Sequence, residues 1–225
     1  MKEKNSYDVL KRICTTACRE RHACHEGFRQ MLASGSVESM MSVWRTNWED
    51  VVQSKYADII CRELPSIYDS LRTEMNRAGI YLNECPEVAP DFVLVLVTDT
   101  DRTVLVYDHA KAYVLGSARV QAFGHAQVYK YCECPAHIML YDTAYGNISG
   151  GDVWVFNRAR LRCGGSVRAV LHDDCRCHAA GGEIRVCSCL KLSASGDAAV
   201  ESETAERIEL MGNATLKIIT KHGER

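Results

Sequence analysis

The sequence is short of the features that would assign a partner or a reaction by composition alone. No apolar run approaches the roughly 18 residues that a membrane helix needs, which argues against a membrane partner. The opening MKEKNSYDVL has no apolar signal-peptide core, so the expected location is cytoplasmic. An excess of one charge is also missing. The formal net charge is −2, too small to demand nucleic acid or any other highly charged partner, although local stripes can still form. No Cys-x-x-Cys knuckle occurs, and no motif commits the chain to a reaction.

What is present is the composition of an ordinary globular protein, 47% hydrophobic and 25% charged, in 225 residues. That length holds one large or two small domains with cores of their own. The twelve cysteines are expected to be reduced thiols in a cytoplasmic chain. They then serve as metal ligands or as small apolar core residues.

Two periodicities divide the chain. From Ser6 to about Gly79 the apolar residues recur at helical spacing: Leu10, Ile13, Cys14, Ala17, Cys24, Phe28 and Met31 share one face, with Ser6 as N-cap and Gly35 as a stop. Ser36 opens a second helix carrying Met40, Val43, Trp44 and Val51. A third stretch from about Lys55 carries Ile59, Ile60, Leu64, Ile67, Leu71 and Met75. Pro65 interrupts it and predicts a kink or break. The segment NECPEVAP, with Pro86 and Pro90, reads as a linker.

Beyond it the period becomes eight. Units open at Thr100, Asp108, Gly116, Gly124, Cys132, Tyr141, Ser149, Asn157, Gly165, Asp173, Ala180, Ser188, Gly196, Thr204 and Gly212, with one nine-residue and one seven-residue step that cancel. Within a unit the third, fifth and often the seventh positions are small or apolar, as in Ala118, Val120 and Ala122. This is strand alternation, cut by a turn and restarted. An octad cannot hide its own apolar face, so copies must stack into a solenoid. Gly-rich openings alternate with Asp, Asn, Ser or Thr openings, which favours two strands and sixteen residues per coil over a triangular coil of three octads. About eight coils at ~4.8 Å give a body close to 40 Å long.

The predicted fold is therefore α+β: a helical capping domain over 1–85, a linker at 86–91, a parallel β-solenoid (β-helix or β-roll) of eight-residue repeats over 92–221, and a tail at 222–225. The helices are expected to cover the N-terminal end of the solenoid, because an open end exposes unpaired strand edges. A homo-oligomer through the far, open end is a further expectation.

The stretches SARVQAFGHAQVYKY and GSVRAVL resemble the A-x-V-x-A-Y-G-x octads of many uncharacterised bacterial proteins, especially of Bacteroidetes, and of their phages and mobile elements. The resemblance covers Asp108 to Val186 and implies a β-solenoid and no activity. Hexapeptide-repeat acyltransferases have a six-residue period, so no acetyl-CoA site carries over. Calcium-binding rolls need Gly-rich, Asp-bearing turns in every nonapeptide, which these turns lack.

Two clusters carry potential chemistry. In CTTACRERHACHEG the residues Cys14, Cys18, His22 and His25 fall on one helical arc, and an i,i+4 pair could share a zinc ion. The favoured reading places Cys14 and Cys24 in the core and both histidines at its solvated edge, with no metal and no cofactor. In HDDCRCHAA a thiol with neighbouring His and Asp could be a nucleophile. Cys175 and Cys177 nevertheless occupy inward positions, and Asp173 and Asp174 are natural turn residues.

In a two-strand coil the outward fourth positions form a row: Lys111, Gln127, Ala144, Arg160, Arg176, Lys191 and Arg207. Beside it run Tyr113, Tyr129, Arg162 and His178, with Arg158 from the second position. Such a basic, partly aromatic stripe could track phosphates or an acidic protein surface, unless Asp142, Asp174 and Glu209 neutralise it. The expectation is a non-enzymatic binding or scaffold protein whose partner is a large host protein or protein–nucleic acid complex. If the resemblance to phage and mobile-element proteins holds, an inhibitor of a host defence nuclease is a concrete version. Direct nucleic-acid binding through the stripe is the alternative, and a structural component of a phage particle or assembly is another.

Overall fold

The computed structural model describes residues 6–20, 25–49, 57–87 and 91–219. His22, Cys24, Val51, Lys55, Pro90 and the predicted tail lie outside the described residues, as does the side chain of His25. Among the described residues five α-helices come first: α1 (Ser6–Glu20), α2 (His25–Ala33), α3 (Val37–Thr46), α4 (Ala57–Glu63) and α5 (Tyr68–Arg77). Ser36 caps α3, its hydroxyl accepting from the Ser39 backbone N–H while the Ser39 hydroxyl accepts from that of Ser36, so two otherwise orphaned donors are satisfied. Pro65 falls in a 3₁₀ turn, Leu64–Ser66, between α4 and α5. The break occurs where proline removes a helical hydrogen bond.

The remainder is a parallel β-solenoid of two strands per coil and about eight turns. One sheet contains β1 (Ile80–Leu82), β2 (Leu94–Val97), β4 (Lys111–Val114), β6 (Gln127–Lys130), the first half of β8 (Tyr145–Val155), the first half of β9 (Arg160–Leu171), β10 (Arg176–Ala179), β12 (Lys191–Ala194) and β14 (Ile208–Leu210). The other contains β3 (Thr103–Val106), β5 (Ala118–Ala122), β7 (Ala136–Leu140), the second halves of β8 and β9, β11 (Glu183–Val186), β13 (Ala199–Ser202) and β15 (Thr215–Ile218). Lys111 pairs with Gln127 and Arg160 with Arg176, one sixteen-residue coil apart. The two inner faces meet in a core of small and branched residues, among them Val104, Ala112, Val120, Val128, Ile138, Ala169, Cys175 and Leu192.

Two local devices keep the coils in step. At the corner ahead of the first sheet, Asp108, Gly124, Asp142, Asn157 and Asp173 all adopt positive φ, between 55° and 65°. Asp, Asn and Gly tolerate this left-handed conformation best, which accounts for the polar openings of alternate units. The Asp side chains also bind across coils: Gly124 N–H donates to Asp142 Oδ2 at 3.1 Å, and Asn157 N–H to Asp173 Oδ2 at 2.9 Å. One residue earlier, Tyr107, Phe123, Tyr141, Phe156 and His172 form a continuous ring stack with centroid spacings of 5.7, 5.0, 5.0 and 4.9 Å. At the opposite corner Gly165 has φ +62°, and a Cβ there would lie 2.5 Å from the Ser149 carbonyl oxygen. Only glycine fits without moving backbone.

Three features correct the sequence expectations. The helices cover a side of the solenoid rather than its end: Leu10, Met40, Trp44 and Met75 share one core with the outward residues Leu94, Leu96, Tyr113 and Leu115. The first sheet begins with β1, which lies within the segment expected to be helical and pairs with β2. Gln127 pairs with Tyr145, eighteen residues on, so two extra residues enter one coil at the corner 131–135. Ala144 is therefore fully buried and Tyr145 takes its place in the outward row. At the same irregular corner Lys130 points inward and is fully buried, its ammonium donating to the Cys132 carbonyl oxygen with Cys132 Sγ at 3.8 Å.

Candidate macromolecule-binding face

Strand alternation and register decide which side chains share the outer face of the first sheet. Its first outward row runs Leu94, Lys111, Gln127, Tyr145, Arg160, Arg176 and Lys191. Its second runs Leu96, Tyr113, Tyr129, Asn147, Arg162, His178, Ser193 and Glu209. The helices divide this face into a covered and an open part.

The covered part removes Tyr113 from solvent and half-buries two more of the expected stripe residues, Lys111 and Tyr129. Tyr113 is only 2% exposed. It stacks on Tyr129 at 4.9 Å and meets the Trp48 ring at 5.1 Å. Lys111 Nζ lies 4.5 Å from the Trp48 centroid, a cation–π contact, and Tyr129 is half-buried beside the same ring. Burial pushes the Tyr113 phenol well above its ordinary range, with the Tyr129 phenol adding to the shift. These residues join the helical region to the solenoid.

The open part is cationic. Arg160 and Arg176 are register partners, as are Arg162 and His178, so four side chains occupy the corners of a rectangle about 4.8 Å by 7 Å on a flat face. All four are exposed. Among the described residues no carboxylate lies within salt-bridge distance of any of them. They line a shallow trough of about 490 Å³ together with Tyr145, Lys191 and Ser193. Like charges at ladder spacing repel, and an anion lying over Arg160, Arg162 and Arg176 would relieve that repulsion.

The neutralising carboxylates expected from the sequence act in part. Glu209 binds Lys191 at 2.8 Å and accepts from Ser193 Oγ at 3.2 Å. Lys191 pulls the Glu209 carboxyl below its ordinary value, so Lys191 closes the stripe rather than extending it. Asp142 is engaged by the corner backbone. Arg207 has φ +64° just ahead of β14, at the last coil. Arg158 sits in the corner turn, where its N–H donates to the Asp142 carbonyl oxygen at 2.9 Å, and is not part of the sheet face. Tyr145 and Tyr131 were absent from the expected stripe. The nine-residue step at Cys132 was the signal that could have found them.

The cysteine clusters have other roles. Cys14 is buried in the helical core, and burial together with the Cys18 thiol drives its own thiol far up. Cys175 and Cys177 face inward as expected. Burial and the neighbouring Cys189 push the Cys175 thiol up to about 12. A hydrogen bond with Cys163, whose Sγ is 4.0 Å away, and then burial raise Cys177. Thiols held this way are protonated at neutral pH and are poor nucleophiles. Among the described residues no three His, Cys, Asp or Glu converge as metal ligands would. Within those residues no helix is long and apolar enough to cross a membrane.

Comparison of the chain with protein-family models, with curated proteins and with solved structures finds no match.

Proposed function

We propose that this is a non-enzymatic docking protein that holds a macromolecular anion on the open part of the first sheet. The observation that carries this reading is the rectangle of Arg160, Arg162, Arg176 and His178, exposed and without a carboxylate among the described residues, on a chain of net charge −2. A solenoid presents a rigid, repetitive face, so a ligand with regularly spaced charge is ordered at little entropic cost. The buried, protonated cysteines of the core support a binding role over a thiol enzyme. A nuclease loaded with nucleic acid offers the same phosphate surface, and inhibition of such a complex is a special case of this reading.

The test is retention of the purified chain on a heparin column. Wild type should elute at higher salt than the Arg160→Glu, Arg176→Glu double variant, whose fold is checked by circular dichroism. Equal elution of the two would remove the proposal.

A further inference from the structure

We infer that the anion taken by this face is single-stranded nucleic acid, lying along the solenoid axis with bases against Tyr131 and Tyr145 and phosphates over Arg160, Arg162 and Arg176. The inference rests on the docking reading above and deepens it.

The aromatic and cationic groups share an edge. Tyr145 on β8 is the register partner of Arg160 on β9, and Asn147 is the partner of Arg162. Asn147 Nδ2 donates to the Tyr131 hydroxyl at 3.4 Å, and Tyr131 is 39% exposed, one of the few large apolar groups open to solvent. The partly exposed Tyr145 ring therefore borders the guanidinium groups one strand spacing away, about 4.8 Å, and the Tyr131 ring lies one coil further toward the helices, on the far side of Asn147.

Each partner class makes a different use of that pairing. An acidic protein supplies carboxylates to the arginines but has no particular need of the rings. A duplex supplies phosphates at a fixed rise of about 3.4 Å per strand, out of step with the coils, and keeps its base faces inside the stack. A single strand offers charge and π-faces together, and its flexible backbone adapts to the spacing of the coils. Glu49, exposed at the helical border next to Trp48, whose ring meets Tyr113 and Tyr129, is the opposing group. A phosphate path is thus directed away from the helices and toward Arg162, whose register partner Asn147 holds the Tyr131 hydroxyl.

The experiment is fluorescence anisotropy of the full chain with labelled oligothymidylate of about 15 nucleotides, a length that covers an ordinary single-strand site, competed with the matching duplex and with heparin. The single strand should bind most tightly. Tyr145→Ala and Tyr131→Ala should each weaken it by about tenfold, the loss of one stacked base, and weaken heparin binding by much less, with circular dichroism showing that the variants are folded. Tyr145→Phe should stay within about twofold because it keeps the ring. Glu49→Gln should tighten binding. Duplex or heparin binding as tightly as the single strand, or tyrosine variants binding oligothymidylate like wild type, would overturn the inference and leave polyanion docking standing. No binding to any of the three probes at low salt would remove both.

Discussion

Arg160 and Arg176 stand directly over one another on adjacent parallel strands, with no carboxylate between them among the described residues. In the free protein this pair is mildly unfavourable, so Arg176→Ala should raise stability by about 0.3 kcal/mol while weakening anion binding. Urea denaturation and heparin affinity measured on one preparation check the opposite signs. A variant that loses stability and keeps affinity would make Arg176 a structural residue.

The ring stack from Tyr107 to His172 should be a main source of coil-to-coil cohesion. Phe123 touches two rings, Tyr107 and Tyr141, at 5.7 and 5.0 Å. Phe123→Ala is expected to cost about 2 kcal/mol, two aromatic contacts plus partial burial, and Phe123→Tyr almost nothing. Thermal melts of both variants decide this.

The thiols should react in an order set by burial. Cys187 is exposed, whereas Cys163, Cys175 and Cys177 are buried and the last two are held protonated. Iodoacetamide at mildly alkaline pH followed by peptide mass mapping should label Cys187 first and leave those three unmodified in the folded chain. Rapid labelling of Cys175 would reopen a catalytic role for the HDDCRCHAA segment.

The junction between α5 and β1 should be acid-sensitive. Burial pushes the Glu84 carboxyl up, but hydrogen bonds led by that of Arg72 and then Tyr68 more than offset it, so it lies below its ordinary value of 4.5. A carboxylate depressed in the folded state adds stability that is complete above its unfolded value and is lost as pH falls through the folded one. Glu84→Gln should therefore be less stable than wild type at neutral pH and show a flatter loss below about pH 4.5. Identical acid limbs in the two melting profiles would contradict this.

Lys130 occupies an inward position where neighbouring coils carry Val114 and Ile148. Replacing a buried charge by an apolar side chain of similar length often stabilises, so Lys130→Met should gain on the order of 1 kcal/mol. Its lost hydrogen bond to Cys132 should speed hydrogen exchange at the corner 131–135. Faster exchange spread over the whole solenoid would mean that the lysine supports the core as well.

Much of this architecture was legible because alternation and turn chemistry repeat. Residues such as Val120, Ala122, Val167 and Ala169 announce their inward direction by position, and Asp108, Asn157 and Asp173 mark the corners through the backbone conformation they tolerate. The site was only partly legible. Arg160, Arg162, Arg176 and His178 were placed correctly because the coils from β9 onward keep the register. Ala144 was misplaced because the nine-residue step counts one extra residue at the corner before it where the register holds two, and a slip of one residue exchanges in and out. The side on which the helices lie was not visible, since an amphipathic face such as that of Leu10, Cys14 and Met31 says that something is covered and not what covers it. Leu94, Leu96 and Tyr113 on outward positions carried that information, in an apolar run where alternation had lapsed.

The most direct test of the docking account is the salt dependence of oligothymidylate binding. Three phosphate contacts predict a slope of log affinity against log salt of about −2, at about −0.7 each. That slope should move toward zero in the Arg160→Glu, Arg176→Glu variant. Wild-type affinity indifferent to salt, or a slope unchanged by the two reversals, would place the binding elsewhere on the molecule.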